Sequence, residues 1–177
     1  MAADPSPFPL IVTAVLPGDI QRWANALRDA HYPPERNRVE AHVTLFYALR
    51  PAMRDEVRAM LAGMAAVHAP VTAQLDGVRD LGSGTALAIR SPGMMALRAR
   101  MAERLHGMLT AQDIAEPRLH ITIQNKVSRS AARALQKYLS GWLEPRRFTF
   151  TGLAAHHYLH GTWENAGQWS FRGREKA

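Results

Sequence analysis

The chain has no cysteine among its 177 residues. Disulfides, thiol nucleophiles and cysteine-ligated zinc or iron–sulfur centres are therefore excluded. Long apolar runs are missing too. The longest, Pro9 to Pro17 with Thr13 inside it, is far too short to cross a bilayer. The N-terminus lacks the basic stretch of a secretory signal and places Asp4 among prolines. The expectation is a protein of the reducing cytoplasm with no membrane partner. Lysine is scarce: 3 residues, Lys126, Lys137 and Lys176, stand against 19 arginines. A GC-rich genome produces that bias as readily as function does. The net charge of +7 nevertheless favours an anionic partner such as a nucleotide or an RNA end.

What is present is ordinary for a globule. Apolar residues at 47% and charged residues at 21% exclude wholesale disorder. The length suits one domain. Residues 1–8 read as a loose Pro-rich lead-in, 9–173 as a single domain and 174–177 as a tail. Hydrophobic spacing predicts a strand from Pro9 to Pro17 and a helix over 18–30 carrying Ile20, Trp23, Ala24 and Leu27 on one face. A loop follows at Pro33-Pro34, then a strand over 39–48, a helix over 52–65 and a strand over 71–75. Gly82-Ser83-Gly84 turns into a strand over 85–90, and Pro92 opens a long helix reaching Met108. The later segments read as a strand over 118–126, a helix over 129–143 and a strand over 147–159. A loop holding Trp163 lies between Gly161 and Gly167, and a short strand covers 169–172. Strands alternating with helices argue for an α/β or α+β sandwich rather than a bundle.

Two of the strands share a pattern. Ala41-His42-Val43-Thr44-Leu45 and Leu119-His120-Ile121-Thr122-Ile123 both read His, apolar, Thr, apolar, 78 residues apart. Composition alone would yield roughly 0.09 such motifs in the chain. A third His-x-Thr, His160-Gly161-Thr162, has glycine at its centre and reads as a turn. Strand side chains alternate, so each motif presents an imidazole and a hydroxyl on one face and apolar residues on the other. Such a pair suits phosphoryl chemistry. One neutral imidazole removes a proton, the other, charged, protonates the leaving oxygen, and the Thr44 and Thr122 hydroxyls hold non-bridging oxygens. This division of labour requires no metal and no cofactor.

On these motifs the sequence resembles the two-histidine (2H) phosphoesterases, the group of 2′-5′ RNA ligases and cyclic phosphodiesterases. Pro33-Pro34-Glu35-Arg36-Asn37 and Ile123-Gln124-Asn125-Lys126-Val127 resemble a bacterial branch of that group. The resemblance implies an α+β, bilobal fold: two pseudo-symmetric antiparallel sheets, outer helices and a central cleft holding one motif from each lobe. It implies metal-independent action on 2′,3′-cyclic phosphates or 2′-5′ linkages of RNA or nucleotides, with ligation as the reverse reaction. It also implies His120 as base and His42 as acid in hydrolysis. Many members carry an arginine shortly after a motif, where this chain has Phe46, Gln124 and Lys126.

Alternation extends the expected cleft face to Phe46, as a surface on which a base stacks, and to Gln124 and Lys126, with Lys126 the phosphate cation. Arg36, Tyr158 and Trp163 complete the candidate substrate contacts. His156 and His157 are adjacent and point to opposite faces of a strand, so they cannot hold one metal together. His157-x-x-His160 lacks carboxylates, and no metal site is expected. The remaining expectations are a monomer and, as the alternative function, a non-catalytic RNA or nucleotide binder using the same cleft. A metal-dependent hydrolase is disfavoured because Glu40 is the only carboxylate close to either motif.

Overall fold

The computed structural model describes residues 7–175. Most of the lead-in, residues 1–6, and the last two residues of the tail lie outside them. Eight strands form two four-stranded antiparallel sheets, in the orders β2-β1-β7-β8 and β5-β4-β3-β6. The strands of the first sheet are β1 (Leu10–Val15), β2 (Val43–Leu49), β7 (Gly152–Leu159) and β8 (Thr162–Ser170). Those of the second are β3 (Val71–Asp80), β4 (Thr85–Arg90), β5 (His120–Gln124) and β6 (Arg146–Phe150). The helices are α1 (Gly18–His31), α2 (Arg54–Val67), α3 (Pro92–Arg104), a single turn α4 (Ala111–Ile114) and α5 (Arg129–Ser140).

Local chemistry sets the helix ends. Ser91 accepts from the Met94 amide with Pro92 in the first turn, and Ser128 accepts from the Ala131 amide, so both side chains satisfy otherwise unpaired helix donors. Pro33 and Pro34 follow α1, where a helix cannot continue. Met60, Leu61 and Met64 of α2, Met94, Leu97 and Met101 of α3, and Leu135 and Leu139 of α5 fill a common core with the inner rows of both sheets. The pseudo-repeat is a strand–helix–strand unit. β1-α1-β2 and β4-α3-β5 each return the chain to an antiparallel neighbour of its starting strand. In each unit the motif strand is the edge of its sheet.

The structure departs from the expected elements at the C-terminal end. Residues 147–159 are two strands in different sheets, β6 and β7, divided at Thr151. Apolar alternation runs unbroken through the switch, so periodicity cannot reveal it. Gly152 marks the crossing: a Cβ there would stand 2.3 Å from the Trp169 carbonyl oxygen. The segment expected as a loop around Trp163 is β8. The turn is tighter, formed by His160 and Gly161 at φ 51° and 102°, and Leu159 pairs directly with Thr162. The helix expected to reach Met108 stops at Arg104, and β3 runs on to Asp80.

Candidate active site

Each motif folds the same way. His42 donates Nδ1–H to the Glu40 carbonyl at 2.7 Å, and His120 donates Nδ1–H to the Arg118 carbonyl, also at 2.7 Å. The carbonyl two residues upstream thus fixes both tautomers. It leaves each Nε2 with a lone pair and no protein partner among the described residues. Thr44 and Thr122 likewise direct their hydroxyls to no protein group among the described residues. The edge strands β2 and β5 bring the two lobes together here. The rings are near enough that charge on His120 disfavours charge on His42.

Burial dominates the electrostatics of both rings. It pushes His42 down from 6.5 to about 4, against the favourable Glu40 carbonyl, with the Arg28 guanidinium lowering it further. His120 is also lowered, first by burial and then by Arg79. Arg79 NH1 donates to the Arg118 carbonyl at 2.9 Å and stands 3.2 Å from His120 Nδ1. Since that nitrogen carries its proton toward Arg118, the guanidinium acts on it as a nearby charge, not as a donor.

The other expected contacts separate. Trp163 lies against His42, with ring centroids 4.3 Å apart, and against His156 at 5.1 Å. Tyr158 pairs with Trp163 across β7 and β8 and remains exposed on the same side. Phe46 does not reach the cleft. It is completely buried under the Arg98 guanidinium, 4.4 Å from its centroid. Gln124 is buried as well, accepting from the Thr85 hydroxyl at 3.1 Å. One cause explains both corrections. A β-bulge follows each motif threonine: Thr13 pairs with Thr44 while Val12 pairs with Phe46, and Ala86 pairs with Thr122 while Thr85 pairs with Gln124. The extra residue, Leu45 or Ile123, reverses the alternation and turns the next side chain into the core.

Lys126 lies past the end of β5, exposed, in a left-handed conformation at φ 57°, so it does not continue the strand face. Arg36 is exposed in a short 3₁₀ turn and lines no cavity with the motifs. Arg38 does, in a cavity of about 350 Å³ bounded by His42, Trp163 and His156.

Four residues of this region were not offered as site residues by the sequence reading: Arg38, His156, Arg28 and Arg79. His156 bonds through Nε2 to the Thr13 hydroxyl at 3.1 Å, and its face could have been read from its spacing to Tyr158. Arg28 is a buried cation with no carboxylate in contact among the described residues; it donates to the Asn37 side chain at 3.1 Å and to the Thr122 carbonyl at 2.7 Å. Arg79 reaches the cleft face only because β3 is bulged between Leu75 and Gly77. A glycine inside a strand was the available signal. No group of three or more potential metal ligands occurs among the described residues.

The geometry agrees with known proteins. The chain resembles the structure of TT0787 of Thermus thermophilus with a TM-score of 0.65 at 16% identity, over 94% of this chain and 100% of that one. Escherichia coli LigT complexed with NADP+ aligns with a TM-score of 0.61 at 20% identity, over 94% and 99%. The same protein complexed with 3′-AMP gives 0.60 at 20%, over 93% and 98%. These likenesses establish the bilobal α+β fold. A search of curated proteins finds no match. The family model of the 2′-5′ RNA ligase superfamily matches residues 16–162, both motifs included, and the chain belongs to that superfamily.

Proposed function

We propose that the protein is a metal-independent phosphoesterase acting on 2′,3′-cyclic phosphate ends or 2′-5′ linkages of RNA or nucleotides. The observation that carries this reading is the duplicated imidazole. Two rings in identical hydrogen bonds, each with Nε2 unengaged among the described residues, stand beside two unengaged hydroxyls. A binding site alone has no need of a matched acid and base. LigT complexes with 3′-AMP, ATP and NADP+ support a nucleotide as the ligand class.

In hydrolysis of a cyclic phosphate, one neutral Nε2 takes a proton from water as the water oxygen bonds to phosphorus. The bond to the departing ribose oxygen breaks in line, and the second imidazole, charged, gives that oxygen its proton. Thr44 and Thr122 donate to the non-bridging oxygens, where charge must be held. Ligation is the same ring opening with a ribose hydroxyl in place of water, and cleavage of the resulting 2′-5′ linkage is its reverse. By resemblance, His120 is the base and His42 the acid in the hydrolytic direction.

The test is to incubate the purified protein in EDTA with the four nucleoside 2′,3′-cyclic phosphates and a 2′-5′ dinucleotide and to separate the products. Turnover undiminished by chelation is expected. Binding without turnover would establish the alternative, a nucleotide binder. Loss in EDTA restored by a divalent ion would establish a metal enzyme.

A further inference from the structure

We propose that the open face of the second sheet is a track for the single-stranded RNA chain that carries the reacting phosphate, with Arg90 and Arg147 as phosphate-binding residues. The proposal rests on the function proposed above and extends its substrate from a mononucleotide to an oligonucleotide.

Strand register supplies the argument. Directly paired residues of an antiparallel sheet share a face, as do residues two apart on one strand. Thr122 pairs with Ala86, which pairs with Arg79. In the next row His120 pairs with Ala88, which pairs with Gly77. In the row after that, Gln74 lies between Arg90 and Arg147. Ala86, Ala88 and Arg90 alternate along β4, so all three rows share a face. The face that presents the second motif therefore extends along β4 to Arg90 and, past the β3 bulge between Leu75 and Gly77, to Arg147. Rows two residues apart are separated by about 7 Å, and two strand spacings put Arg90 and Arg147 about 10 Å apart. α5 packs on the opposite face, where Thr85 donates to the Ala132 carbonyl.

The surface has the relief and charge that suit a polyanion. Its floor beside His120 is Gly77 and Ala88, while Ala86 is buried and the Arg79 guanidinium stands 3.2 Å from His120 Nδ1. A Cβ added at Gly77 would meet nothing within 4 Å. Cavities of about 720 Å³ and about 450 Å³ adjoin through Arg90 and Pro92, which line both. Arg147 and Arg118 make no side-chain hydrogen bond or ion pair among the described residues. Arg90 donates to Gln74 Oε1 at 3.0 Å and stands 3.6 Å from Asp76, in a pair whose side chains are 60% and 48% exposed. A pair that open is weakly held, so a phosphate can replace the carboxylate. The cavity on the His42 side differs: Thr13, Gln21, Asn165 and Gln168 line it with neutral groups, and one arginine, Arg38, shares it with one carboxylate, Glu40. Cations thus predominate on the second-sheet side, with Arg79, Arg90, Arg118 and Arg147 against Asp76 and Asp80, where the His42 side has Arg38 against Glu40. A nucleoside cyclic phosphate has no second phosphate to offer them, whereas a longer chain does.

The experiment compares the wild type with an Arg90→Gln/Arg147→Gln variant on two substrates, a nucleoside 2′,3′-cyclic phosphate and a hexanucleotide ending in that group. The hexanucleotide should be preferred by the wild type. In the variant its kcat/KM should fall about tenfold, with a log–log salt dependence shallower by about 1.4 for two lost phosphate contacts. The mononucleotide should be turned over unchanged. Equal loss on both substrates, or none on either, overturns the track. Fluorescence anisotropy with a hexanucleotide bearing a 3′-phosphate reads the track without turnover. If no cyclic phosphate is hydrolysed, the functional reading fails, and this measurement alone decides the track. Weaker binding by the variant sustains it, while equal binding, or a wild type that prefers duplex RNA, overturns it.

Discussion

Arg28 reaches from α1 of the first strand–helix–strand unit to the main-chain oxygen of Thr122 in the second, at 2.7 Å. The second unit answers in kind: Arg98 of α3 donates through Nε to the Leu45 carbonyl at 3.2 Å and through NH2 to the Asp113 carbonyl. Both arginines are buried. Each grips the other unit's motif strand, at the threonine itself or at the bulge beside it. Asp113 adds a clamp on β2, accepting from the Tyr47 amide at 2.7 Å and the Ala48 amide at 2.9 Å. The two imidazoles thus hold their spacing through buried cross-lobe hydrogen bonds.

Arg28→Met should therefore destabilise the fold. It keeps the aliphatic stem but leaves the Thr122 carbonyl without its donor, at a cost of about 1–3 kcal/mol. Urea unfolding measures this as a lower midpoint at unchanged slope. A neutral substitution would mean that water replaces the guanidinium and that the cross-lobe bond does not hold the strand.

Much of this arrangement was legible in the sequence. The repeated motif and the core-facing stripe of α1, with Ile20, Trp23, Ala24 and Leu27, follow from spacing, and the resemblance implied the two-lobe fold. The failures share a physical origin. Alternation assumes an unbroken pleat, and bulges after Thr44 and Thr122 redirect Phe46 and Gln124, while another in β3 brings Arg79 to the cleft. β6 and β7 merged because Phe148, Phe150 and Gly152 keep the same period across a change of sheet. The partners of Arg28 and Arg98 lie 94 and 53 residues away, beyond the reach of local pattern.

Replacing either motif histidine should lower turnover far more than stability. His42→Ala and His120→Ala are expected to cost about 10²–10⁴-fold in kcat, the scale of a positioned acid or base. Thr44→Ala and Thr122→Ala should each cost about 10–10³-fold, because one donor is lost while both proton transfers survive. Steady-state kinetics beside thermal melting makes the comparison. A threonine variant as impaired as a histidine variant would assign the hydroxyl more than oxyanion stabilisation.

The lowered imidazole pKa values give pH effects of definite sign. The fold disfavours the charged form of His42, so between its folded value of about 4 and its unfolded value of 6.5 the unfolded chain binds more protons. Its contribution to stability is full above pH 6.5 and is lost as the pH falls toward 4. Melting temperature followed from about pH 7.5 to about pH 4 should decline, and decline less in His42→Gln. Catalysis needs one ring neutral and one charged, and both are lowered. The kcat/KM profile, which reports the free enzyme, should be a bell centred below pH 6.5. A maximum above about pH 7 would contradict the assignment of these rings as acid and base.

The division of roles is tested by a leaving group that needs no proton. A nitrophenyl phosphodiester expels nitrophenolate unaided, so loss of the general acid should matter little while loss of the base remains severe. The resemblance makes His42 the acid, and His42→Ala is then rescued much more than His120→Ala. The electrostatics of the free site give that role a condition. Burial and Arg28 hold His42 in its neutral form, so it must gain its proton together with the phosphate, whose negative charge opposes both effects. Activity of the wild type toward a ribose leaving group should therefore fall as the pH rises through neutrality, while activity toward the nitrophenyl ester should not. Preferential rescue of His120→Ala would reverse the roles. Equal rescue of both variants would show that neither ring acts as a dedicated acid.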